Sequence, residues 1–311
     1  MPKAVDFNGR PFHFIGIGGI GMSALAYILT RQNLPVSGSD LRLTHITRRL
    51  QEAGARIFWQ QAGSNLSYFS DAVPSAPGGP TQPIPQVICS TAIDDRNPEY
   101  RAALEMGCPL FHRSDVLASL INRYRSIAVA GTHGKTTTSS MIGHMLLAAG
   151  LDPTIVVGGE VESWGGNARL GQGPYLVAEA DESDGTLAKL SAAIGVITNI
   201  ELDHTDHYHT LEDVVKTFQT FQSQCQFLVA SLDCQVLRTN LKPDLTYSLN
   251  SQSGATYYTS DISVHSQGTT ALVWERGQRL GSLNLQVLGH HNLSNALAAV
   301  AVGRQIGRAH V

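Results

Sequence analysis

The stretch Ile127-Ala128-Val129-Ala130-Gly131-Thr132-His133-Gly134-Lys135-Thr136-Thr137-Thr138 joins a strand to a helix across a glycine turn. Its first four residues are apolar, and beyond it Met141, Ile142, Met145 and Leu146 recur at helical spacing. Strand, Gly-rich turn, then Lys-Thr opening a helix is the context of a phosphate-binding loop. Gly131 and Gly134 admit backbone angles that let successive N–H groups converge on phosphate oxygens at the positive end of the helix. Lys135 would reach the outer phosphates, and the Thr136 hydroxyl would ligate Mg²⁺. A standard Walker A loop carries Gly where this chain has Val129, so the form here is the shorter G-T-x-G-K-T-T. The plain alternative, a strand-to-helix turn with an incidental lysine, does not account for all three parts falling in order.

Outward from this loop, the chain reads as two α/β domains. Its 311 residues suffice for two cores, and 42% hydrophobic with 15% charged residues is an ordinary folded composition. A net charge of −3 gives no electrostatic case for a nucleic-acid partner. No apolar run is long enough to span a membrane, and the first ten residues have no apolar signal core. Cys89, Cys108, Cys225 and Cys234 form no C-x-x-C pair and read as free thiols, so the expected location is cytoplasmic.

The first domain, 1–123, opens with a strand at Phe12-His13-Phe14-Ile15, then Gly16-Ile17-Gly18-Gly19-Ile20-Gly21-Met22-Ser23 and a helix. A second strand, Val36 to Ser39, ends at Asp40. Gly16-x-Gly18-x-x-Gly21 with an acid 19 residues after the last Gly is the dinucleotide fingerprint, and alone it suggests NAD. A nucleoside-diphosphate sugar offers the same pyrophosphate and hydroxyls. Further strand–helix units run to Arg123, interrupted at 73–85 by a loop with five prolines. The second domain, 124–311, holds strands near 154–157, 175–178, 193–198 and 227–230, consistent with a mostly parallel sheet. Residues 245–288 read as short, hairpin-linked antiparallel strands, and an Ala/Val-rich helix opens at His290-His291-Asn292.

Two segments supply metal-ligand candidates: Val177-Ala178-Glu179-Ala180-Asp181-Glu182-Ser183-Asp184, and Thr198 to His209. Both follow expected strands, at the carboxyl edge where α/β sheets hold ligands. Oxygen-rich sets suit Mg²⁺. A zinc site of His204, His207 and His209 is the rival reading, weakened by loose spacing and by Asp203 and Asp206.

Together, HFIGIGGIGMS (13–23), GSD (38–40), STAI (90–93), NPE (97–99), GTHGKTTT (131–138), AEADESD (178–184), TNIELDH (198–204) and HNLSNALAAVAV (291–302) resemble the ATP-dependent Mur ligases of bacterial peptidoglycan synthesis. Within that family, His133 in the loop together with GIGGIGMS resembles the alanine-adding branch, whose substrates are UDP-N-acetylmuramate and L-alanine. The resemblance implies UDP-sugar binding through Gly18, Gly19, Gly21, Met22 and Ser23, with Asp40 nearby. It implies ATP binding through Gly131, Thr132, His133, Gly134, Lys135, Thr136 and Thr137, with Asn292 and Asn295 near the nucleotide. Thr136, Glu179 and His204 match metal positions, Lys135, Glu179 and His204 form the catalytic set, and Thr198 and Asn199 would line the muramoyl side. The fold implied is a Rossmann-like domain followed by a P-loop NTPase-type domain with a mostly parallel sheet and a small antiparallel one.

The chain departs from the family at Gln61-Ala62-Gly63-Ser64-Asn65, where a His is usual, and in the 74–85 stretch. It stops at Val311, where a third, carboxy-terminal domain would begin, so the expectation is a two-domain piece that binds nucleotide with little or no ligation by itself. Competing readings are a murein-peptide recycling ligase, a non-catalytic nucleotide-binding fragment, and an NAD-dependent oxidoreductase. The last leaves residues 131–138 and 179–204 without a role.

Overall fold

The computed structural model describes residues 4–71, 84–183 and 185–307. The proline-rich loop expected at 73–85 lies almost wholly outside the described residues. The chain divides into two compact units, 1–120 with 158–170, and 121–157 with 171–311.

In the first unit the elements are β1 (Phe12–Ile15), α1 (Ile20–Arg31), β2 (Val36–Ser39), α2 (His45–Ala53), β3 (Arg56–Phe58), α3 (Tyr68–Asp71), β4 (Gln86–Cys89), α4 (Pro98–Glu105), β5 (Leu110–His112) and α5 (Arg113–Ile121). The strands form one parallel sheet, ordered β3-β2-β1-β4-β5. β1 is therefore central, and its four residues are buried on both faces, as Phe12, Phe14 and Ile15 require. The order reverses between β1 and β4, which leaves a crevice at the carboxyl ends where the Gly16–Ser23 turn lies.

The second unit begins at β6 (Arg125–Ala130) and α6 (Lys135–Ala148), the elements on either side of the glycine turn. Along the chain there follow β7 (Thr154–Val161) and β8 (Gly166–Arg169), of which 158–170 belong to the first unit, then β9 (Tyr175–Glu179), β10 (Ile194–Ile197), α7 (Leu211–Gln224), β11 (Leu228–Ser231), α8 (Gln235–Asn240), β12 (Leu245–Ser248), β13 (Tyr257–His265), β14 (Gly268–Glu275), β15 (Gln278–Leu285) and α9 (His290–Gln305). Strand order is β15-β14-β13-β12-β11-β10-β6-β9-β7-β8. The pairs from β13 through β6 to β9 and on to β7 are parallel, and β13-β14-β15 is antiparallel. The antiparallel strands thus extend the parallel sheet edge-on through β12. Of the residues 245–288 expected as short antiparallel strands, β12 instead pairs in parallel with both neighbours, and β13 is one long strand with a register shift between Ser260 and Ser263.

β7 is longer than its apolar run suggested. After Val157 it continues into the segment with β8 that groups with the first unit, where Asn167 donates to Ile20 O at 2.6 Å and Ser23 Oγ at 3.0 Å. Arg49 Nη2 donates to Ala168 O at 2.8 Å and its guanidinium lies 4.1 Å over the Tyr27 ring.

The second unit's core gathers Ile127 and Val129 of β6, Ile142 and Leu146 of α6, Val196, Val229 and Leu297 to Val302 of α9. Buried positions of α9 run without a break from Asn295 to Gly303, so the helix is enclosed rather than amphipathic, which is why its small Ala and Val residues suit it.

Candidate active site

β6 lies between β9 and β10, in register Val129↔Glu179 and Ala130↔Ile197. This order brings three strand ends to one edge: the glycine turn after β6, Glu179 at the end of β9, and Thr198 just past β10. Parallel strands all present their carboxyl ends on that side, so the grouping follows from sheet topology rather than from sequence distance.

The turn itself is strapped from the β10 side. Asn199 makes a two-way pairing with His133, accepting from its N–H at 2.8 Å and donating Nδ2 to its carbonyl at 2.9 Å. Thr198 Oγ1 donates to His133 O at 2.6 Å, Thr132 N–H donates to Asn199 O at 3.1 Å, and Thr132 Oγ1 accepts from Glu201 N–H at 2.9 Å. Gly131 has φ +135°, and a Cβ there would overlap Thr198 Oγ1 and lie 3.1 Å from both Asn199 N and O. Gly134, φ +82°, has Asn295 Oδ1 only 2.6 Å from where a Cβ would stand. The two glycines are therefore required both by conformation and by the straps closing over them.

Lys135 and Thr136 open α6. Thr136 Oγ1 donates to Glu179 Oε2 at 2.8 Å. Lys135 Nζ donates to Gly131 O at 2.7 Å, Thr132 O at 3.2 Å and Glu182 Oε1 at 2.8 Å. Glu182 is 2% exposed, and its Oε2 has no partner among the described residues. Burial pushes the Glu182 carboxyl above its usual value, against the opposing pull of the Lys135 bond and charge. His204 Nε2 lies 3.9 Å from Glu182 Oε1, on a backbone with φ +52°. Tyr208, buried, donates its hydroxyl to Glu182 O at 2.7 Å.

The structure thus brings together Gly131 to Thr136, Glu179, His204, Thr198, Asn199 and Asn295. Thr137 follows on the first turn of α6, half-buried. Asn292 stands at the exposed start of α9, donating to Leu288 O at 2.8 Å. His204, His207 and His209 do not converge: among the described residues no group of three or more His, Cys, Asp and Glu could hold a metal ion. The Thr136–Glu179 pair supplies two hard oxygen donors facing each other, which fits Mg²⁺ better than a softer ion.

In the first unit, Gly18 N–H donates to Asp40 Oδ2 at 2.8 Å, and Asp40 Oδ1 accepts from Arg42 N–H at 3.0 Å. The acid after β2 therefore braces the Gly-rich turn directly. Met22 and Ser23 are buried in the first turns of α1, with Ser23 Oγ donating to Ile20 O at 3.0 Å. Gly19 is the N-cap of α1, and the Arg113 guanidinium lies beside Gly21. Arg113 and Asn167 escaped selection from the sequence. Glu182 sat within the acidic cluster, but nothing local separates it from its neighbours; Arg113 and Asn167 belong to stretches with no motif at all.

Two family models match the chain: "Mur ligase family, catalytic domain" over residues 11–125 and "Mur ligase middle domain" over residues 129–303. The chain belongs to the Mur ligase family. Among its family relatives, the UDP-N-acetylmuramate–L-alanine ligase of Nostoc punctiforme is 63% identical over 311 residues, covering 99% of this chain. The chain spans 65% of that relative's length. Among solved Mur ligase structures, UDP-N-acetylmuramate-alanine ligase from Thermotoga maritima superposes with a TM-score of 0.81 at 30% identity, over 96% of this chain and 65% of that one. The UDP-N-acetylmuramate:L-alanyl-gamma-D-glutamyl-meso-diaminopimelate ligase of Neisseria meningitides gives a TM-score of 0.82 at 25% identity, over 96% of this chain and 94% of that one. The α/β fold with a parallel first sheet and a mixed second sheet is that of the Mur ligases. Among the described residues no helix is long and apolar enough to cross a membrane.

Proposed function

We propose that this chain provides the UDP-sugar and ATP sites of an enzyme that joins L-alanine to UDP-N-acetylmuramate. The observation that carries the reading is the second-unit site: a glycine turn at a helix N-terminus, with Lys135 opening the helix and Thr136 bonded to Glu179. High identity to the alanine-adding relatives supports the choice of substrates.

The chemistry follows from what these groups can do. A carboxylate is a poor electrophile, so the muramoyl carboxylate must be activated before an amine can attack it. Attack on the γ-phosphorus of ATP forms an acyl phosphate and releases ADP; the L-alanine amine then attacks the acyl carbon and phosphate leaves. Lys135 and the N–H groups that open α6 would offset negative charge on the transferring phosphoryl group. Thr136 and Glu179, with His204 as a further ligand, would hold Mg²⁺, which when bound shields the phosphate oxygens from one another. Thr198 and Asn199 fix the turn's shape by taking up the Thr132 and His133 N–H groups and the His133 carbonyl, so that the start of α6 is oriented before nucleotide arrives. In the first unit, the α1 N-terminus and Gly16–Ser23 turn would take the UDP pyrophosphate, with Arg113 beside it.

Calorimetric titration tests the reading. The chain should bind ATP with Mg²⁺ and, separately, UDP-N-acetylmuramate in preference to NADH. Lys135→Ala should weaken ATP at least tenfold and leave UDP-N-acetylmuramate unaffected. Binding of NADH in place of the UDP sugar, or ATP binding indifferent to Lys135, would overturn it.

A further inference from the structure

The ammonium of Lys135 has three N–H donors, and all three are committed: two to carbonyls of its own turn, the third to Glu182. A phosphate oxygen can gain a bond from Lys135 only if one of these is released. The two carbonyls belong to Gly131 and Thr132, in a turn held by Thr198 and Asn199. The Glu182 bond is the one made to a separate segment, and it is also the one to a negative charge, which a phosphate can replace like for like.

Glu182 is placed for this, with His204 Nε2 as a further neighbour 3.9 Å from the same Oε1. It lies three residues past Glu179, is 2% exposed, and is held at its backbone carbonyl by the Tyr208 hydroxyl at 2.7 Å and by Gly185 N–H at 3.0 Å. Its second carboxylate oxygen is buried without a partner among the described residues, which is a costly arrangement for a group whose only task is structural. A structural ion pair would be expected to satisfy both oxygens.

Resting on the reading of this turn as a nucleotide site, we propose that Glu182 is a positioning residue that holds Lys135 in a parked state and competes with nucleotide phosphate for its ammonium. When phosphate binds, Lys135 transfers from the carboxylate to the phosphate oxygens. When product leaves, Glu182 takes the ammonium back, so release of ADP is helped by the same bond that opposes its binding.

The test is calorimetric titration of the whole chain with ADP, and with a non-hydrolysable ATP analogue, in the presence of Mg²⁺. Glu182→Gln keeps the side chain's size and an acceptor for Lys135 but removes the competing charge. Its dissociation constants should fall about five- to tenfold, whereas Glu182→Asp, which keeps the charge, should stay within about twofold of the parent. A purely structural role for Glu182 would weaken binding in both variants and lower the unfolding midpoint. In a Lys135→Ala background the gain from Glu182→Gln should vanish. Unchanged or weaker binding by Glu182→Gln, or a gain that persists without Lys135, overturns the proposal. Failure of the parent chain to bind either nucleotide would instead remove the nucleotide reading beneath it.

Discussion

At the scale of single residues, Gly131 shows how narrowly the turn is specified. Its φ of +135° lies where side chains are strained, and a Cβ would press on backbone atoms of Asn199, which cannot swing away. Gly131→Ala should therefore cost roughly 3 kcal/mol or more and abolish nucleotide binding. Gly150 is the control: φ is +71° with nothing within 4 Å of the position a methyl would take, so Gly150→Ala should cost only about 1 kcal/mol and leave binding intact. Urea unfolding and ADP titration of the two variants separate conformational strain from collision. The residue pattern announced both glycines, but not that Thr198 and Asn199 are what close over Gly131. Those contacts span more than sixty positions and exist because β10 lies beside β6.

At the scale of elements, α4 is fastened by a buried polar network. Glu99 is fully buried; its Oε1 accepts from Asn65 Nδ2 at 2.6 Å and pairs with His13 Nε2 at 3.2 Å, while its Oε2 accepts from Ser39 Oγ. His13 Nδ1 pairs with Ser37 Oγ at 2.9 Å. One carboxylate thereby joins α4 to β1, β2 and the Gly63–Ser67 turn. Asn97 caps the same helix, accepting from Glu99 N–H at 2.9 Å and Tyr100 N–H at 3.1 Å. Loss of the cap in Asn97→Ala should cost about 1 kcal/mol. Glu99→Ala leaves several buried donors without an acceptor and should cost about 3 to 5 kcal/mol. Equal losses in urea unfolding would refute the network. Asn97-Pro98, a cap residue followed by Pro at the first helical position, is a local helix-start signal, yet the strand residue His13 gives no local sign of a partner 86 positions away.

At the scale of the whole molecule, buried acids of high pKa set an alkaline limit. Burial pushes the Cys225 thiol from 9.0 up to about 12, and burial, with Glu275 accepting its hydroxyl, pushes Tyr257 from 10.0 up to about 12. Both folded values are raised, so their contribution is whole below the unfolded values. It is lost as pH climbs from about 9 towards 12, where the unfolded chain sheds protons that the folded chain keeps. Stability to urea should hold up to about pH 8.5, then fall by about 1 kcal/mol per pH unit for each group titrating. Cys225→Ala should make that fall shallower; an unchanged slope between about pH 9.5 and 10.5 would show that the thiol is not responsible.

Local pattern alone settled the two glycine turns, the helices that begin at them and the parallel strands that carry them. These depend on backbone conformation and hydrophobic period, which neighbours along the chain encode. Tertiary structure alone decided which acid meets Lys135, which strand straps the turn, how β13 to β15 extend the main sheet, and that residues 158–170 pack with the first unit. Those outcomes depend on strand order, and strand order is fixed by how distant apolar faces bury one another, a property no single window of sequence contains.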